Sequence, residues 1–312
     1  MEIWRIRQRE GFNSLDDMAT FLQIDPAQML QRKNFPLHVP RRLAEKMPKG
    51  CLENPLARQF LPVDAELDQE GEIDPVGDTA AMKSDALLHK YEGRALLLTT
   101  GACAMHCRYC FRQNFAYKSD VDKAIGKIKN DTSIQEVILS GGDPLSLSDG
   151  ALKEIFQKLE EIEHVEIIRF HTRFIVGIPE RITQRFLSML KTCSKQIVFV
   201  VHINCVEELD EDIFEAMGKI QQLQIPVMTQ SVLLKGVNDS KEALKALFWA
   251  LVKRGVIPYY LHQLDQVKGS KHFEVSKERG KALILALRDC MPGYAVPTYV
   301  KEIAGEKSKT II

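Results

Sequence analysis

The sequence has no net charge, because its 42 lysines and arginines are matched by 42 aspartates and glutamates. A chain without excess basic residues has no bulk attraction to nucleic acid or to an anionic membrane surface, so we predict neither as a partner. Long hydrophobic runs are also missing. The N-terminus, "MEIWRIRQREGF", lacks the apolar core of a signal peptide, and no later segment approaches the length of a membrane span. We therefore predict a cytoplasmic protein with a small-molecule partner.

The number of cysteines is odd, since the chain contains seven. A cytoplasmic protein keeps its thiols reduced, so disulfides are not expected, and a local group of cysteines favours metal or cluster chemistry. What is present is the composition of a globular protein, with 45% hydrophobic and 27% charged residues. This composition excludes fibrous and disordered classes and provides enough apolar residues for a large core.

From residue 95 onward, short apolar runs alternate with longer amphipathic segments. The runs are nearly continuous and rich in Val, Ile and Leu, which is typical of parallel strands covered on both faces. They are "ALLLTT" (95–100), "EVILSGG" (136–142), "VEIIRFHT" (165–172), "QIVFVVHIN" (196–204), "IPVMTQSVLL" (225–234) and "VIPYYLHQLD" (256–265). Their spacing of about thirty residues is that of a βαβ unit. The pattern predicts an α/β fold of six β/α units, either an open doubly wound sheet or an incomplete barrel.

Residues 1–90 have a different character, with scattered prolines and an acidic stretch, "VDAELDQEGEIDPVGD", that is typical of a surface connection. In "SLDDMATFLQI", Ser14 precedes a helical apolar pattern and is a candidate N-cap. We predict that short helices of this region wrap a main domain over residues 91–295, which a C-terminal segment over 296–312 follows.

Polar side chains accompany every predicted strand, mostly at its carboxyl end, where α/β folds collect their ligands. A single polar residue at such a position is ordinarily a cap or turn residue, but here all six strands carry them. They are Cys103 after the first strand, Ser140, Gly141, Gly142 and Asp143 at the second, His171 and Arg173 at the third, His202 and Asn204 at the fourth, Gln230 within the fifth, and His262, Gln263 and Asp265 at the sixth. Six loops that meet at one mouth favour the barrel over the open sheet.

Three cysteines with the spacing C-x3-C-x2-C, Cys103, Cys107 and Cys110, directly follow the first strand. A disulfide is disfavoured in the cytoplasm, and a catalytic thiol needs no neighbouring thiols. Zinc normally takes four ligands in paired CxxC groups or with histidines, and His106 is the only local histidine, so zinc is the weaker alternative. An iron–sulfur cluster on three thiolates is the favoured interpretation, and it leaves one iron open for a second molecule.

This triplet, with an aromatic residue before its last cysteine, resembles the signature of radical S-adenosylmethionine (SAM) enzymes. Within them the chain resembles the lysine 2,3-aminomutases, over about residues 35–312. The matching segments, in family order, are "YEGRALLLTTGACAMHCRYCFRQNF", "ILSGGDPL", "RITQRFLSML", "TQSVLLKGVND" and "YVKEIAGEKSKT". The C-terminal "EIAGEKSKTII" is similar to the branch that makes (R)-β-lysine for attachment to elongation factor P. The free-lysine catabolic enzymes have a Gly-rich loop there and a longer tail.

The resemblance implies an incomplete (β/α)6 radical SAM barrel with an N-terminal helical extension and a C-terminal tail over the barrel mouth. It also implies three cofactors, which are a 4Fe-4S cluster, SAM and pyridoxal 5'-phosphate, together with an electron donor such as flavodoxin. Cys103, Cys107 and Cys110 would hold the cluster, and SAM would bind its open iron. In the turn Ser140, Gly141, Gly142 and Asp143, the two glycines allow close approach to SAM and the aspartate can accept from its methionine ammonium. Lys309 would form the Schiff base with pyridoxal phosphate, and Arg94, His202 and Gln230 would lie near that cofactor.

The resemblance also places the substrate, L-lysine. Arg112 would pair with its carboxylate through the two-pronged guanidinium, and Asp265 and Glu302 would hold its distal ammonium. Glu302 departs from the family, which has Asp there. The expected reaction is a 1,2-amino shift that turns L-α-lysine into (R)-β-lysine, with a functional link to elongation factor P and its lysine ligase. Two alternatives remain, which are free β-lysine production for metabolism and a non-catalytic protein that binds zinc or a cluster.

Overall fold

The computed structural model describes residues 2–30, 35–118 and 120–312, and its centre is one sheet of ten strands. Their order in the sheet is their order in the chain: β1 (Met82–Ser84), β2 (Leu87–Tyr91), β3 (Arg94–Thr100), β4 (Glu136–Gly141), β5 (Ile167–Thr172), β6 (Gln196–His202), β7 (Val227–Leu233), β8 (Ile257–Gln263), β9 (Thr298–Lys301) and β10 (Thr310–Ile311). Strands β3 to β9 are parallel, while β1, β2 and β10 pair antiparallel with their neighbours. In the described part of the chain the sheet runs from β1 to β10 without closing, so the barrel is incomplete.

The six predicted strands are confirmed as β3 to β8, with each bound within two residues of its predicted position. They could be found because their apolar runs are buried on both faces; five of the six residues of β4, for example, are buried. The four outer strands were not predicted. Of these, β1 and all but the last residue of β2 lie in the segment 1–90 that we expected to be helical or irregular, and both strands extend the barrel sheet instead.

Eleven α-helices are present in the described residues, and those between the parallel strands cover the outside of the sheet. The helices are α1 (Ile3–Arg9), α2 (Leu15–Leu22), α3 (Arg41–Lys46), α4 (Pro55–Phe60), α5 (Val121–Lys129), α6 (Asp149–Glu160), α7 (Phe174–Gly177), α8 (Gln184–Thr192), α9 (Glu211–Gln221), α10 (Lys241–Val252) and α11 (Lys277–Arg288). The Ser14 cap is confirmed, since its hydroxyl accepts from the Asp17 amide at 3.3 Å. None of the helices in the described ranges combines the length and the hydrophobicity that crossing a membrane requires.

The main core lies between the sheet and its outer helices. Phe170 of β5 stacks on Phe199 of β6 with ring centroids 4.6 Å apart, and Phe186 of α8 packs edge-on against both. The N-terminal helices contribute further buried side chains to this core. Trp4 of α1 is fully buried, with its ring 5.8 Å from that of Phe174. Burial of large aromatic rings stabilises these contacts strongly, so the N-terminal region is packed firmly onto the barrel.

Candidate active site

A cavity of about 300 Å³ lies at the carboxyl ends of the parallel strands. This is where α/β barrels bind their ligands, because the loops after the strands converge there. Its walls contain every residue for which the resemblance implied a cofactor or substrate role: Arg94, Cys103, Cys107, Cys110, Arg112, Ser140, Gly141, Gly142, Asp143, His202, Gln230, Asp265, Glu302 and Lys309. The fold therefore brings these side chains to one place, while the role of each stays a prediction. Asn204 and Gln263, which were also expected at strand ends, do not line the cavity.

The three cysteines of the triplet lie on the loop after β3, and none of them forms a disulfide. Burial is the main cause that raises the pKa of the Cys103 and Cys110 thiols, the latter to about 11, and the nearby thiol of Cys107 adds to both shifts. Such thiols are poor free nucleophiles, but iron can replace the proton and compensate the thiolate charge. Three reduced thiols on the wall of one cavity are a donor set that fits an iron–sulfur cluster.

Among the residues that the structure describes, no three histidine, cysteine or acidic side chains come close enough together to hold a single metal ion. A cubane cluster makes a different demand, because its three protein thiolates bind three different irons and stand further apart than the ligands of one ion. The lack of a single-ion site among the described residues therefore does not argue against the predicted cluster.

The turn after β4 packs directly against the loop that leads to the cysteines. A Cβ atom at Gly141 would lie 2.4 Å from the Thr100 carbonyl oxygen, and one at Gly142 would lie 2.3 Å from the Ala102 carbonyl oxygen. Gly141 also has a φ of +124°, which disfavours other residues. The Gly142 amide donates to the Thr100 carbonyl at 2.6 Å. The two glycines thus hold the cysteine loop in place; their predicted contact with SAM stays a prediction.

The buried carboxylate of Asp143 joins this turn to the end of β5. It accepts from the Thr172 hydroxyl at 2.8 Å and from the backbone amides of Leu145, Arg173 and Phe174 at 3.0, 2.7 and 2.9 Å. Burial raises the pKa of Asp143, and these four donors oppose that shift. Asp143 therefore fixes two loops of the cavity. Accepting from the ammonium of SAM would be an additional role for the same oxygens, and it stays a prediction.

A row of alternating charges crosses the cavity, and we call it the ion-pair chain. Arg112 Nε donates to Asp78 Oδ2 at 2.6 Å, and Asp78 Oδ1 lies 2.6 Å from Lys90 Nζ. Lys90 Nζ also donates to Glu302 Oε1 at 2.7 Å, and Lys309 Nζ donates to Glu302 Oε2 at 2.5 Å. Three predicted site residues, Arg112, Glu302 and Lys309, are therefore joined through Asp78 and Lys90.

Asp78 and Lys90 are site residues that the sequence analysis missed. Asp78 belongs to the acidic stretch that we interpreted as a surface connection, yet it is only 1% exposed. Lys90 lies in β2, next to the hairpin turn to β3, where Tyr91 pairs with Arg94 and Gly93 has a φ of +77°. The glycine at position 93, between two runs that contain apolar residues, is a turn signal that could have indicated β2. No local signal identified Asp78.

Glu302 and Asp265, the two carboxylates predicted to hold the substrate ammonium, have pKa values that are shifted in opposite directions. Burial opposes the charge of Glu302, but Lys309 and Lys90 outweigh it and lower the pKa of Glu302 to about 2. Burial, together with the charge of Glu302, raises the pKa of Asp265 to about 7. Near neutral pH, Glu302 is ionised while Asp265 is partly protonated. An ammonium group placed beside Asp265 would favour its ionised form.

Three histidines near the carboxyl ends of β5, β6 and β8 also line the cavity: His171, His202 and His262. Burial lowers the pKa of all three, to about 3 for His202, so the imidazoles are neutral. The Nε2 atom of each is buried without a hydrogen-bond partner. A buried polar atom without a hydrogen-bond partner destabilises the folded protein unless a ligand or a water molecule bonds to it. With Lys309 and Arg94 in the same wall, the cavity fits a polar, anionic cofactor such as pyridoxal phosphate.

The N-terminal region fastens the cysteine loop from outside. Arg108, between the second and third cysteines, is fully buried, and its guanidinium donates to both carboxylate oxygens of Glu66 at 2.8 and 2.5 Å and to the Phe35 carbonyl at 3.0 Å. His106 Nδ1 contacts the Pro36 carbonyl oxygen at 2.9 Å. These two residues had no assigned role, and the structure gives them one: they anchor the loop that presents the thiols.

Comparison with known proteins shows the family of the chain. The profile of the radical SAM superfamily matches residues 97–248. The chain is 41% identical over 288 residues to the L-lysine 2,3-aminomutase of Haemophilus influenzae, which covers 90% of this chain and 85% of that protein. The chain belongs to the L-lysine 2,3-aminomutase family. This aminomutase is also 37% identical to the Escherichia coli enzyme, over 99% of this chain and 94% of that protein.

A third relative is the L-lysine 2,3-aminomutase of Clostridium subterminale, 38% identical over 82% of this chain and 64% of that protein. Among solved structures, a radical SAM methyltransferase from Sphaerobacter thermophilus shares the fold, with a TM-score of 0.51 and 17% identity over 69% of this chain and 68% of that chain. Lysine 2,3-aminomutases are radical SAM isomerases that use a 4Fe-4S cluster, SAM and pyridoxal 5'-phosphate. The predicted fold class, enzyme class and cofactors of this aminomutase are thereby confirmed.

Proposed function

We propose that this aminomutase converts L-α-lysine to (R)-β-lysine in the cavity, with the ion-pair chain defining the two ends of the substrate. The observation that supports this proposal is the distribution of charge. Arg112 provides a cation at one end of the ion-pair chain, Asp78 and Lys90 separate it from the carboxylate of Glu302, and Asp265 provides a second carboxyl group that the charge of Glu302 affects. An extended lysine carries its carboxylate and its distal ammonium at opposite ends, so its charges complement this arrangement.

The roles of the remaining residues follow the same proposal. Cys103, Cys107 and Cys110 hold the cluster, and the turn after β4 lies against SAM. Lys309 attaches pyridoxal phosphate, with Arg94, His202 and Gln230 beside it. When bound, the cluster and SAM supply a radical, and pyridoxal phosphate carries the migrating nitrogen. The chain itself binds the substrate, orients its reactive carbon and keeps water away from the radical.

Glu302 links cofactor attachment to substrate binding. Its Oε2 atom accepts from Lys309, and its Oε1 atom accepts from Lys90. If Lys309 carried pyridoxal phosphate, its nitrogen would not be available to donate to Glu302, and Oε2 could accept from another donor. The distal ammonium of the substrate is such a donor. In this proposal Lys90 keeps the Glu302 carboxylate ionised and fixed while its second partner is exchanged.

The Lys309 assignment can be tested by absorbance of the protein loaded with pyridoxal phosphate. Lys309→Ala is expected to lose the Schiff-base band. Lys309→Arg is also expected to lose it, although this variant keeps a cation for Glu302. Lys307→Ala is the matched control, because Lys307 is an exposed lysine in the same segment, and it is expected to keep the band. A normal band in Lys309→Ala would reject the assignment.

We also propose that the product is used to modify elongation factor P through its lysine ligase. What supports this use is the segment from Glu302 to Lys309, in which Gly305 is the one glycine, whereas the free-lysine catabolic enzymes carry a Gly-rich loop there. Deletion of the gene in the host is expected to remove the β-lysyl group from elongation factor P, and exogenous (R)-β-lysine is expected to restore it. Unchanged modification in the deletion strain would favour free β-lysine production for metabolism.

A further inference from the structure

Arg173, the residue after β5, makes direct contact with a predicted cluster ligand. Its Nη1 atom donates to Cys107 Sγ at 2.9 Å. The Arg173 side chain is only 7% exposed, so water competes weakly for this contact. A guanidinium stays protonated at all physiological pH values. A fixed positive charge therefore lies within hydrogen-bond distance of one of the three thiols.

A buried network holds this guanidinium in a single position. Its Nη2 atom donates to Gln59 Oε1 at 2.7 Å and to Glu208 Oε2 at 2.9 Å, and its Nη1 atom also contacts the Tyr109 hydroxyl. The group lies over the ring of Phe60, 4.8 Å from its centroid. Every anchor is on a different segment from Cys107 except Tyr109, so the cation is positioned by the fold.

Glu208 is the counter-charge of this cation. It is fully buried, and its Oε1 atom accepts from the Asn204 and Cys205 amides at 2.9 and 3.1 Å. The carboxylate is thus fixed against the Nη2 atom of Arg173, whereas Cys107 contacts the Nη1 atom. The negative charge of Glu208 reduces the field that the guanidinium exerts on the sulfur.

We propose that Arg173 is a positioning residue that raises the reduction potential of the cluster through its hydrogen bond to Cys107, and that Glu208 limits this effect. The proposal rests on the proposed assignment of Cys107 as a cluster ligand. In the reaction concerned, an external one-electron donor gives one electron to the oxidised cluster, and no bond or proton is transferred. The cluster becomes more negative by one charge, so a neighbouring cation stabilises the reduced form and a neighbouring anion destabilises it.

A redox titration of the reconstituted enzyme, followed by electron paramagnetic resonance with dithionite as the reductant and without SAM, tests this proposal. Arg173→Gln is expected to lower the equilibrium constant for one-electron reduction about tenfold, which corresponds to a midpoint about 59 mV more negative. Glu208→Gln is expected to shift the midpoint in the opposite direction. Arg173→Lys keeps the charge and is expected to lie between the wild type and Arg173→Gln.

Two matched controls separate this effect from general damage. Arg181 is equally buried and pairs with Asp149 at 2.8 Å, but it does not line the cavity, so Arg181→Gln is expected to leave the midpoint unchanged. Glu207 is the exposed neighbour of Glu208. Glu207→Gln makes the same change of charge where solvent screens it, and it is expected to leave the midpoint close to the wild-type value.

The outcomes are distinguishable. A wild-type protein that binds no cluster contradicts the proposed function itself. A wild-type protein with a cluster, whose midpoint is unchanged in Arg173→Gln, overturns only the role of Arg173. If Arg173→Gln does not retain a cluster, the midpoint potential of Glu208→Gln is the test. A midpoint more positive than that of Glu207→Gln supports the proposal, and a midpoint equal to it or more negative overturns the proposal.

Discussion

Replacement of Asp265 by asparagine is expected to change how the stability of the protein depends on pH. Asparagine has the shape of the protonated carboxyl group but does not titrate. In the folded protein, burial and the charge of Glu302 raise the pKa of Asp265 from 3.8 to about 7. Because the folded-state value is the higher one, protonation favours the folded form. This contribution is fully present below pH 3.8 and is lost as the pH rises through about 7.

The size of the effect follows from the two pKa values. Linkage gives a contribution of about 2.7 kcal/mol at pH 5 and almost none at pH 8. The wild type therefore loses about 2 to 3 kcal/mol from this group over that interval, and Asp265→Asn does not. Glu302 does not interfere, since its pKa is lowered from 4.5 to about 2 and its stability contribution changes only below this interval. The cavity histidines are neutral in the folded protein over this interval, and their titration in the unfolded chain, around the ordinary pKa of 6.5, is common to both proteins and cancels from the difference between them.

The assay is urea unfolding followed by circular dichroism at pH 5, 6, 7 and 8, on protein prepared without added cofactors. From pH 5 to pH 8, the free energy of unfolding of Asp265→Asn is expected to rise by about 2 to 3 kcal/mol relative to the wild type. Asp289→Asn is the control, because Asp289 is exposed at the end of α11. A difference between Asp265→Asn and the wild type that stays constant over this range would refute the reasoning.

Two further substitutions test the ion-pair chain and the glycine turn. Lys90→Met removes the ammonium that contacts both Asp78 and Glu302, so the lysine concentration at half-maximal rate is expected to rise about tenfold, a loss of about 1.4 kcal/mol in binding free energy. Lys90→Arg is expected to retain most of the affinity for lysine. An unchanged half-maximal concentration in Lys90→Met would show that Lys90 does not support Glu302. Gly142→Ala places a Cβ atom 2.3 Å from the Ala102 carbonyl oxygen, so lower thermal stability and lower iron content after reconstitution are expected. Gly126→Ala, in α5 where no atom lies within 4 Å of the new Cβ, is expected to be neutral or to stabilise by about 0.5–1 kcal/mol, and equal losses in both variants would contradict the close-contact argument.

The parallel strands and the cavity lining could be predicted from the sequence for one physical reason. Strands buried on both faces give continuous apolar runs, and the loops at their carboxyl ends must meet at one edge. Residues such as Gln230 and Asp265 could therefore be placed at the cavity from their position after or within a run. Lys309 could be placed only through the resemblance to a family.

What could not be predicted depends on contacts between distant segments. Asp78 faces Arg112 across 34 residues, and Arg173 reaches Cys107 across 66 residues. The local pattern made Asp78 resemble a surface charge, and it placed Arg173 at a strand end without indicating its partner. Burial decides their role, because a charge that is withdrawn from water must find a partner. The residues that were predicted are thus those that a ligand would contact. The residues that were missed are mainly those that hold the ligand-contacting residues in position.

The most direct test of the central claim is a lysine assay on the enzyme reconstituted anaerobically with iron, sulfide and pyridoxal phosphate. With SAM and dithionite present, the account predicts that L-lysine is converted to (R)-β-lysine, identified by chiral chromatography with mass spectrometry. Cys107→Ala is expected to form none. A preparation that holds both the cluster and pyridoxal phosphate, yet forms no β-lysine from L-lysine, would contradict the account.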